Sequence, residues 1–383
     1  MSITDVSEPS QVIPLEPPAE EIEAQAFVAP QWKLVWWKFR KHKLALISGV
    51  LVALIYLIAL FADFLAPADP SQSNSNYLFA PPQPMHLMNE PGNLSLYVTG
   101  YTSQVNLESM RRDFVVDPTT QIRLKFFVHG WPYKLLGIFK TDRHLLGVED
   151  STQTAYLLGA DRLGRDLLSR IIQGTRVSMS IGLAGVFLSL VLGTFLGGIS
   201  GYYGGLLDDL IQRLIDFLRS IPSIPLWMGL AAAMPLNWPP GRVYFAITVI
   251  LSLIGWTSLA RVVRGRFLSL REEEFVTAAR LDGASEWRII FRHMLPAFTS
   301  HLIASMTLAI PGMILSETSL SFLGLGLREP VVSWGVLLQD AQDIRSIATA
   351  PWLMIPALAV VVSVLTLNFF GDGLRDAADP YTR

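Results

Sequence analysis

The side chains best suited to bond-making chemistry are few in this chain and poorly spaced for it. Its six histidines are His42, His86, His129, His144, His293 and His301, and no cysteine occurs. None of the histidines lies in an H-E-x-x-H helix or in another spacing that gathers a zinc ion. His129 and His144 bracket the run GWPYKLLGIFKTDR, where surface or turn roles are expected of them. Without cysteine there is no thiolate nucleophile, disulfide framework or sulfur-ligated metal. The serine in SLSFLGLG stands near glycines but not in nucleophile-elbow spacing. No G-x-x-x-x-G-K-[ST] cradle and no Gly-Lys pair occurs, so this chain carries no P-loop for ATP. The residues predict no catalytic centre, metal or cofactor.

What does stand out is charge embedded among apolar residues. Within LLDDLIQRLIDFLRSIP, Asp209, Arg213 and Asp216 are spaced i, i+4, i+7, so they share one helical face and can pair there. Two readings stay open: a lead-in helix with solvated charges, or a face lining a polar path. A second stretch, EEEFVTAARLDGASEWRIIFRHMLP, runs from Glu272 to Pro296. Phe275, Ala278 and Ala279 give a first short helix a narrow face of small residues. Gly283 then offers the left-handed geometry that ends a helix, and Ser285 is a good N-cap for the next. Trp287, Ile290, Phe291 and Met294 repeat at i, i+3, i+4, i+7, and Pro296 closes the unit. The expected object is a helix–turn–helix knob, either a docking element for a partner's groove or an interfacial connector.

The elements around these stretches must be membrane spans. The chain has 383 residues, 51% hydrophobic and only 16% charged, against about 25% charged in soluble proteins. A net charge of −2 without a basic run argues against nucleic acid and leaves membrane lipid as the bulk partner. Residues 1–34, rich in Pro, Glu, Ser and Ala, read as a disordered tail. A basic lead-in, WKFRKHK, and a first span occupy 35–66. The competing reading is a signal peptide, against which the long stretch before this span and the length of the apolar run both argue, and the basic flank predicts a cytoplasmic N-terminus. Residues 67–158 are polar and turn-rich with short β-like runs, a small outer insert. Five further spans are expected at about 177–200, 208–233, 243–262, 298–318 and 351–371 within a core of 159–375. Residues 376–383 form a cytoplasmic tail, and six crossings put both termini on one side, with the charged knob in a cytoplasmic loop over 264–296. Arg162, Arg165, Arg170 and Arg176 on the outer side strain the positive-inside rule, although long translocated segments largely escape it.

The segment TAARLDGASEWRIIFRHMLP resembles the coupling loop of ABC importer permeases, where Glu-Ala-Ala, three residues, Gly, nine residues and Ile-x-Leu-Pro recur. The matching positions are Ala278, Ala279, Gly283, Leu295 and Pro296. Thr277 replaces the usual Glu, which weakens a carboxylate contact there, and His293 replaces Ile. GADRLGRDLLSRIIQGTRVSMSIGL and LSFLGLGLREPVVSWGVLLQDA resemble the second permease subunit of the dipeptide/oligopeptide/nickel branch. The resemblance covers 35–66 and about 158–375. It implies a type I ABC importer permease fold: an all-α polytopic membrane protein of about six transmembrane helices, carrying a small mixed or β periplasmic insert. It also implies a bacterial inner-membrane setting, a homologous permease partner in a heterodimer, two ATP-binding subunits below and a periplasmic solute-binding protein above. On that reading Thr277, Ala278, Ala279, Gly283, Trp287, Leu295 and Pro296 form the ATPase-coupling loop, with the small residues inserting and the aromatic stripe anchoring. The cargo expected is a short peptide; nickel chelates, opines and oligosaccharides are the alternatives within the branch. A secondary carrier is the rival, but the two halves lack the matching broken helices of such proteins. The insert is expected either to touch the binding protein and cap the pore, or to act as a spacer.

Overall fold

The computed structural model describes residues 31–90, 93–106, 111–150 and 153–378. Nearly all of the expected disordered tail lies outside these residues, but 31–34 already belong to a helix, α1 (Gln31–Lys41). His42 caps the next helix, α2 (Lys43–Leu60), its Nδ1 accepting the Ala45 N–H at 3.1 Å. At 1.5 Å per residue α2 covers about 27 Å, close to the hydrocarbon thickness of a bilayer.

A short turn (Ala62–Leu65) leads into the insert. Four antiparallel strands, β1 (Met85–Glu90), β2 (Asn93–Asn106), β3 (Arg111–Leu135) and β4 (Phe139–Val148), lie in chain order. Their small core gathers Val98, Ile122, Leu124 and Ala155. The foot of the sheet is tied to the end of α2 by His144. This ring is buried, with Nδ1 2.9 Å from the Asp63 carbonyl and Nε2 3.0 Å from the Trp131 carbonyl. His144 is therefore a buried tie rather than the expected surface residue, because the β4 register turns it toward residue 63. His129 stays exposed beside Asp142.

The helical core follows. α3 (Leu167–Tyr203) starts from an Asp166 N-cap and runs for 37 residues. α4 (Gly205–Ser220), α5 (Ser223–Ala232) and α6 (Pro240–Leu270) come next. The knob begins with α7 (Glu274–Leu281), and the chain finishes with α8 (Thr299–Phe322), α9 (Trp334–Gln339) and α10 (Ile355–Ala378). α10 thus extends three residues into the expected C-terminal tail. The central pair is α3 with α6. A Cβ on Gly193, Gly197 or Gly201 would meet the carbonyl oxygens of Trp256, Ala260 and Arg264, one turn apart. This small-residue seam lets two membrane helices touch backbone to backbone.

Among the described residues five helical segments are long and apolar enough to cross a membrane, Lys43–Leu60, Leu167–Tyr203, Pro240–Leu270, Thr299–Phe322 and Pro351–Ala378. The expected span at 208–233 is not one helix. It breaks at Ile221-Pro222 into α4 and α5, since proline lacks the amide that would continue the ladder. The C-terminal ends of α3 and α6 both reach the knob, through Tyr202 and Phe267, so the chain between them must return to the opposite face. α4 and α5 make that return in two pieces. Phe39 on α1 packs with Phe370, Leu374 and Ala377 on α10, which brings the two described ends of the chain together.

Candidate coupling surface

The knob is built as a buried base and an exposed apex. On α7, Val276 and Ala279 face inward and join Ile289, Ile290 and Met294 against Tyr202, Val263, Phe267, Phe298 and Leu302 from the long helices. Gly283 makes the turn with φ of +73°. An added Cβ there would meet nothing within 4 Å, so the glycine serves the backbone and not packing. Ser285 occupies the N-cap position without a side-chain capping bond; its carbonyl accepts from Ile289. Arg280 lies over the Tyr202 ring at 5.5 Å, and the Tyr203 hydroxyl donates to Glu286 at 2.6 Å. Both ends of the knob are thereby fastened to the end of α3.

The second half departs from the expected stripe. Residues Ile289–Met294 form a π turn, closed by Leu295 N–H on the Ile290 carbonyl. Pro296 cannot donate to the Arg292 carbonyl and its ring crowds it, which favours the wider turn. The register therefore shifts. Ile289, Ile290 and Met294 are buried, whereas Trp287 is 52% exposed. Trp287 stacks between Phe195 at 6.3 Å and Phe291 at 5.6 Å on the flank. The anchor is thus Ile289 with Ile290 and Met294, not the Trp287–Phe291 pair. Of the small residues, Ala278 is exposed but Ala279 faces the body, and Thr277 is exposed with its hydroxyl turned back to the Glu273 carbonyl. Leu295 is half-buried and Pro296 exposed, on the return to α8. The apex presents Phe275, Ala278 and Leu281, spaced i, i+3, i+6; Leu281 is 85% exposed. Leu281 escaped the sequence reading because it lies between the two recognised faces.

The charges of α4 also find other partners than expected. Asp208 accepts a bidentate pair from Arg264 and the Ser200 hydroxyl, and Asp216 pairs with Arg261. Gln212 donates to Ser200 at 3.1 Å, and Arg219 donates to Ser258 at 2.9 Å. The pairing runs to α3 and α6, not along α4 through Asp209, Arg213 and Asp216. Ile211, Ile215 and Leu218 pack inward beside these pairs, against Trp256 and Ala260, while Leu206, Leu210, Leu214 and Phe217 remain on the exposed side together with Asp209 and Arg213.

At the opposite face two polar knots fix the loops. Asp161 binds Arg165 and Arg170, each at 2.7 Å, and Glu329 binds the same two guanidiniums at 2.5 and 3.0 Å. Arg162 pairs with Asp340 at 2.9 Å and Arg176 with Asp63 at 2.8 Å. All four arginines that strained the charge rule are neutralised by acids. Burial pushes the Asp166 carboxyl up to about 6 against the bonds from Ser169, and burial likewise raises Asp340 to about 6. Deeper, Glu317 accepts from the hydroxyls of Ser178, Ser321 and Ser333 at 3.3, 2.8 and 2.7 Å. Each serine in turn accepts a backbone N–H, from Trp334, Leu327 and Val336 respectively. One carboxyl so holds the 323–337 connection through three hydroxyl relays. The described residues contain no cluster that could hold a metal ion.

Residues 189–383, just over half of the chain, match the family described as the binding-protein-dependent transport system inner membrane component. The chain belongs to this family. Residues 30–82 match the N-terminal transmembrane domain of oligopeptide transport permease C. The oligopeptide transport system permease protein OppC of Haemophilus influenzae is 40% identical over 63% of this chain and 76% of its own length. The dipeptide transport system permease protein DppC of Lactococcus lactis subsp. cremoris is 33% identical over 90% of this chain and 89% of its own. A chain of the MetNI methionine ABC transporter, solved facing inward, covers 56% of this chain and 98% of its own length at 18% identity, with a TM-score of 0.45. As an inner membrane component, the chain supplies membrane-spanning helices to a transport system. The family match contains the C-terminal part of α3, α4, the knob and Glu317, while the sheet lies between the two matched regions.

Proposed function

We propose that this chain is one of two homologous permease subunits of an ATP-driven importer, and that its cargo is a short peptide. The observation that carries this reading is the knob: an apolar apex left exposed on a base buried against the ends of three long helices. An apex of Phe275, Ala278 and Leu281 suits a groove on an ATPase subunit, one for each permease. The rigid base passes motion of that subunit to α3, α6 and α8. The knob, α1 and the end of α10 then lie on the cytoplasmic side, and the sheet and the paired arginines on the periplasmic side. The apolar face of α4 fits the homologous permease subunit. The sheet lies where a solute-binding protein would deliver cargo. Peptide as cargo draws on relatives named for oligopeptides and dipeptides.

The test is uptake by the assembled complex in proteoliposomes, with labelled peptides of two to five residues and the binding protein outside. Uptake that needs internal ATP and both ATPase subunits is the expected result. Uptake that survives without ATPase subunits but collapses with the proton gradient refutes the coupling reading. ATP-dependent uptake of a nickel chelate, an opine or an oligosaccharide in place of peptide would keep the mechanism and replace the cargo.

A further inference from the structure

The insert ends in a hairpin tip whose chemistry does not suit water. β3 and β4 are joined by Leu136, Gly137 and Ile138; Leu136 and Gly137 both have positive φ (+54° and +74°), and Ile138 N–H donates to the Leu135 carbonyl at 3.1 Å. Two successive left-handed positions in a hairpin turn ordinarily take Asn-Gly or Asp-Gly. Here an aliphatic residue occupies the left-handed position and is 47% exposed, next to Ile138 at 73% and Phe139 at 64%. Immediately behind this tip, Lys134 and Lys140 stand directly opposite each other across the strands. Like charges in that position repel, and neither lysine has an acidic partner among the described residues.

The tip also lies where a membrane span ends. A cavity of about 360 Å³ is lined by Lys134, Leu136 and Gly137 together with Ala59 and Leu60 of the last turn of α2, and with Asp63 and Arg176. Asp63 is already taken by Arg176, so Lys134 is the uncompensated charge. The exposed leucines of α2, at 51, 54, 57 and 60, lead straight to this cavity and make its surroundings continuous with the lipid-facing surface.

We propose that the β3–β4 hairpin dips into the same bilayer the helices span, and that Lys134 and Lys140 share a phospholipid head-group phosphate. Leu136, Ile138 and Phe139 enter the upper acyl region, as interfacial apolar residues do. The two ammonium groups donate to the phosphate oxygens, which removes their mutual repulsion. The sheet is thereby held against the membrane surface as well as by His144. This does not depend on the identity of the cargo or on ATP coupling.

The chain has no cysteine, so Ile138→Cys gives this chain a single labelling site, and the transporter assembled with the unsubstituted chain and labelled in the same way supplies the background from the other subunits. The label is bimane, in vesicles of phosphatidylethanolamine and phosphatidylglycerol carrying a nitroxide high on the acyl chain. The label at 138 should lose most of its fluorescence to the nitroxide and be shielded from aqueous iodide. A label at Val115→Cys, exposed on the same strand far from the tip, should behave in the opposite way, and Phe139→Cys should repeat the result for 138. Joint Lys134→Glu and Lys140→Glu replacement should cut the nitroxide quenching severalfold. Iodide access at 138 equal to that at 115 overturns the insertion, as does shielding that appears only when solute-binding protein is added. Quenching unchanged by the two glutamates overturns the phosphate contact.

Discussion

Replacing Met294 by alanine should uncouple the transporter without removing the knob. Met294 has no exposed surface and packs with Val276, Ile289 and Ile290 in the base. Burying four such side chains is worth about 6–12 kcal/mol as an upper figure, and a buried Met→Ala change removes about 2–5 kcal/mol of it. The knob then stays docked on average but opens more often. Hydrogen exchange of the amides in 274–294 should accelerate by roughly 30- to several-thousand-fold if it proceeds through that opening. Substrate moved per ATP in proteoliposomes should fall, while ATP hydrolysis persists. Two companions scale the effect. Gly283→Ala meets no atom and adds only backbone strain of about 1–2 kcal/mol. Trp287→Ala loses stacking worth about 0.5–1.5 kcal/mol on a half-exposed ring. The uncoupling should therefore rank Met294→Ala well above the other two. An unchanged transport-to-ATP ratio in Met294→Ala despite faster exchange refutes transmission through the base, and so does the reverse ranking.

Leu281→Glu changes an 85% exposed side chain, so melting should be unaffected while co-purification of the ATPase subunits drops sharply; full retention would remove Leu281 from the docking surface. A double-mutant cycle on Asp208→Asn and Arg264→Gln should give a coupling of about 1–3 kcal/mol in unfolding, because the pair joins α4 to α6; additive effects would mean that the pair does not hold the helix. Asp166, raised by burial from 3.8 to about 6, favours the protonated native state. Its contribution of about 3 kcal/mol is present below about pH 4 and lost as pH rises through about 6. Thermal midpoints in nanodiscs should therefore fall across that window, and Asp166→Asn, which keeps an acceptor for Ser169, should flatten the fall; an identical pH profile in the variant would contradict this.

Much of the architecture follows from local pattern. Five long apolar runs become five long helices because a bilayer leaves few ways to satisfy a backbone. Gly283 ends a helix because a left-handed residue is needed there, and spacing alone located it. The turn-rich insert with β-like runs folded as a sheet.

Other features depend on residues distant in sequence. The ion pair of α4 is made by Arg264, 56 positions from Asp208, so periodicity within α4 could suggest only pairing along itself. The π turn over Ile289–Met294 moves the buried face by one residue, and a strict 3.6-residue period could not place Ile289 inside. Ala279, expected on the inserting face, packs inward, and Leu281 stands exposed, because the body, absent from a local reading, decides which face of α7 is covered. Glu317 gains its role only when three serines from separate segments converge on it, and His144 only when β4 is laid against residue 63. Sequence by itself determined the elements and the turn, since those respond to neighbours along the chain. Tertiary structure decided which face of each element is inside, because that depends on partners brought close only by folding.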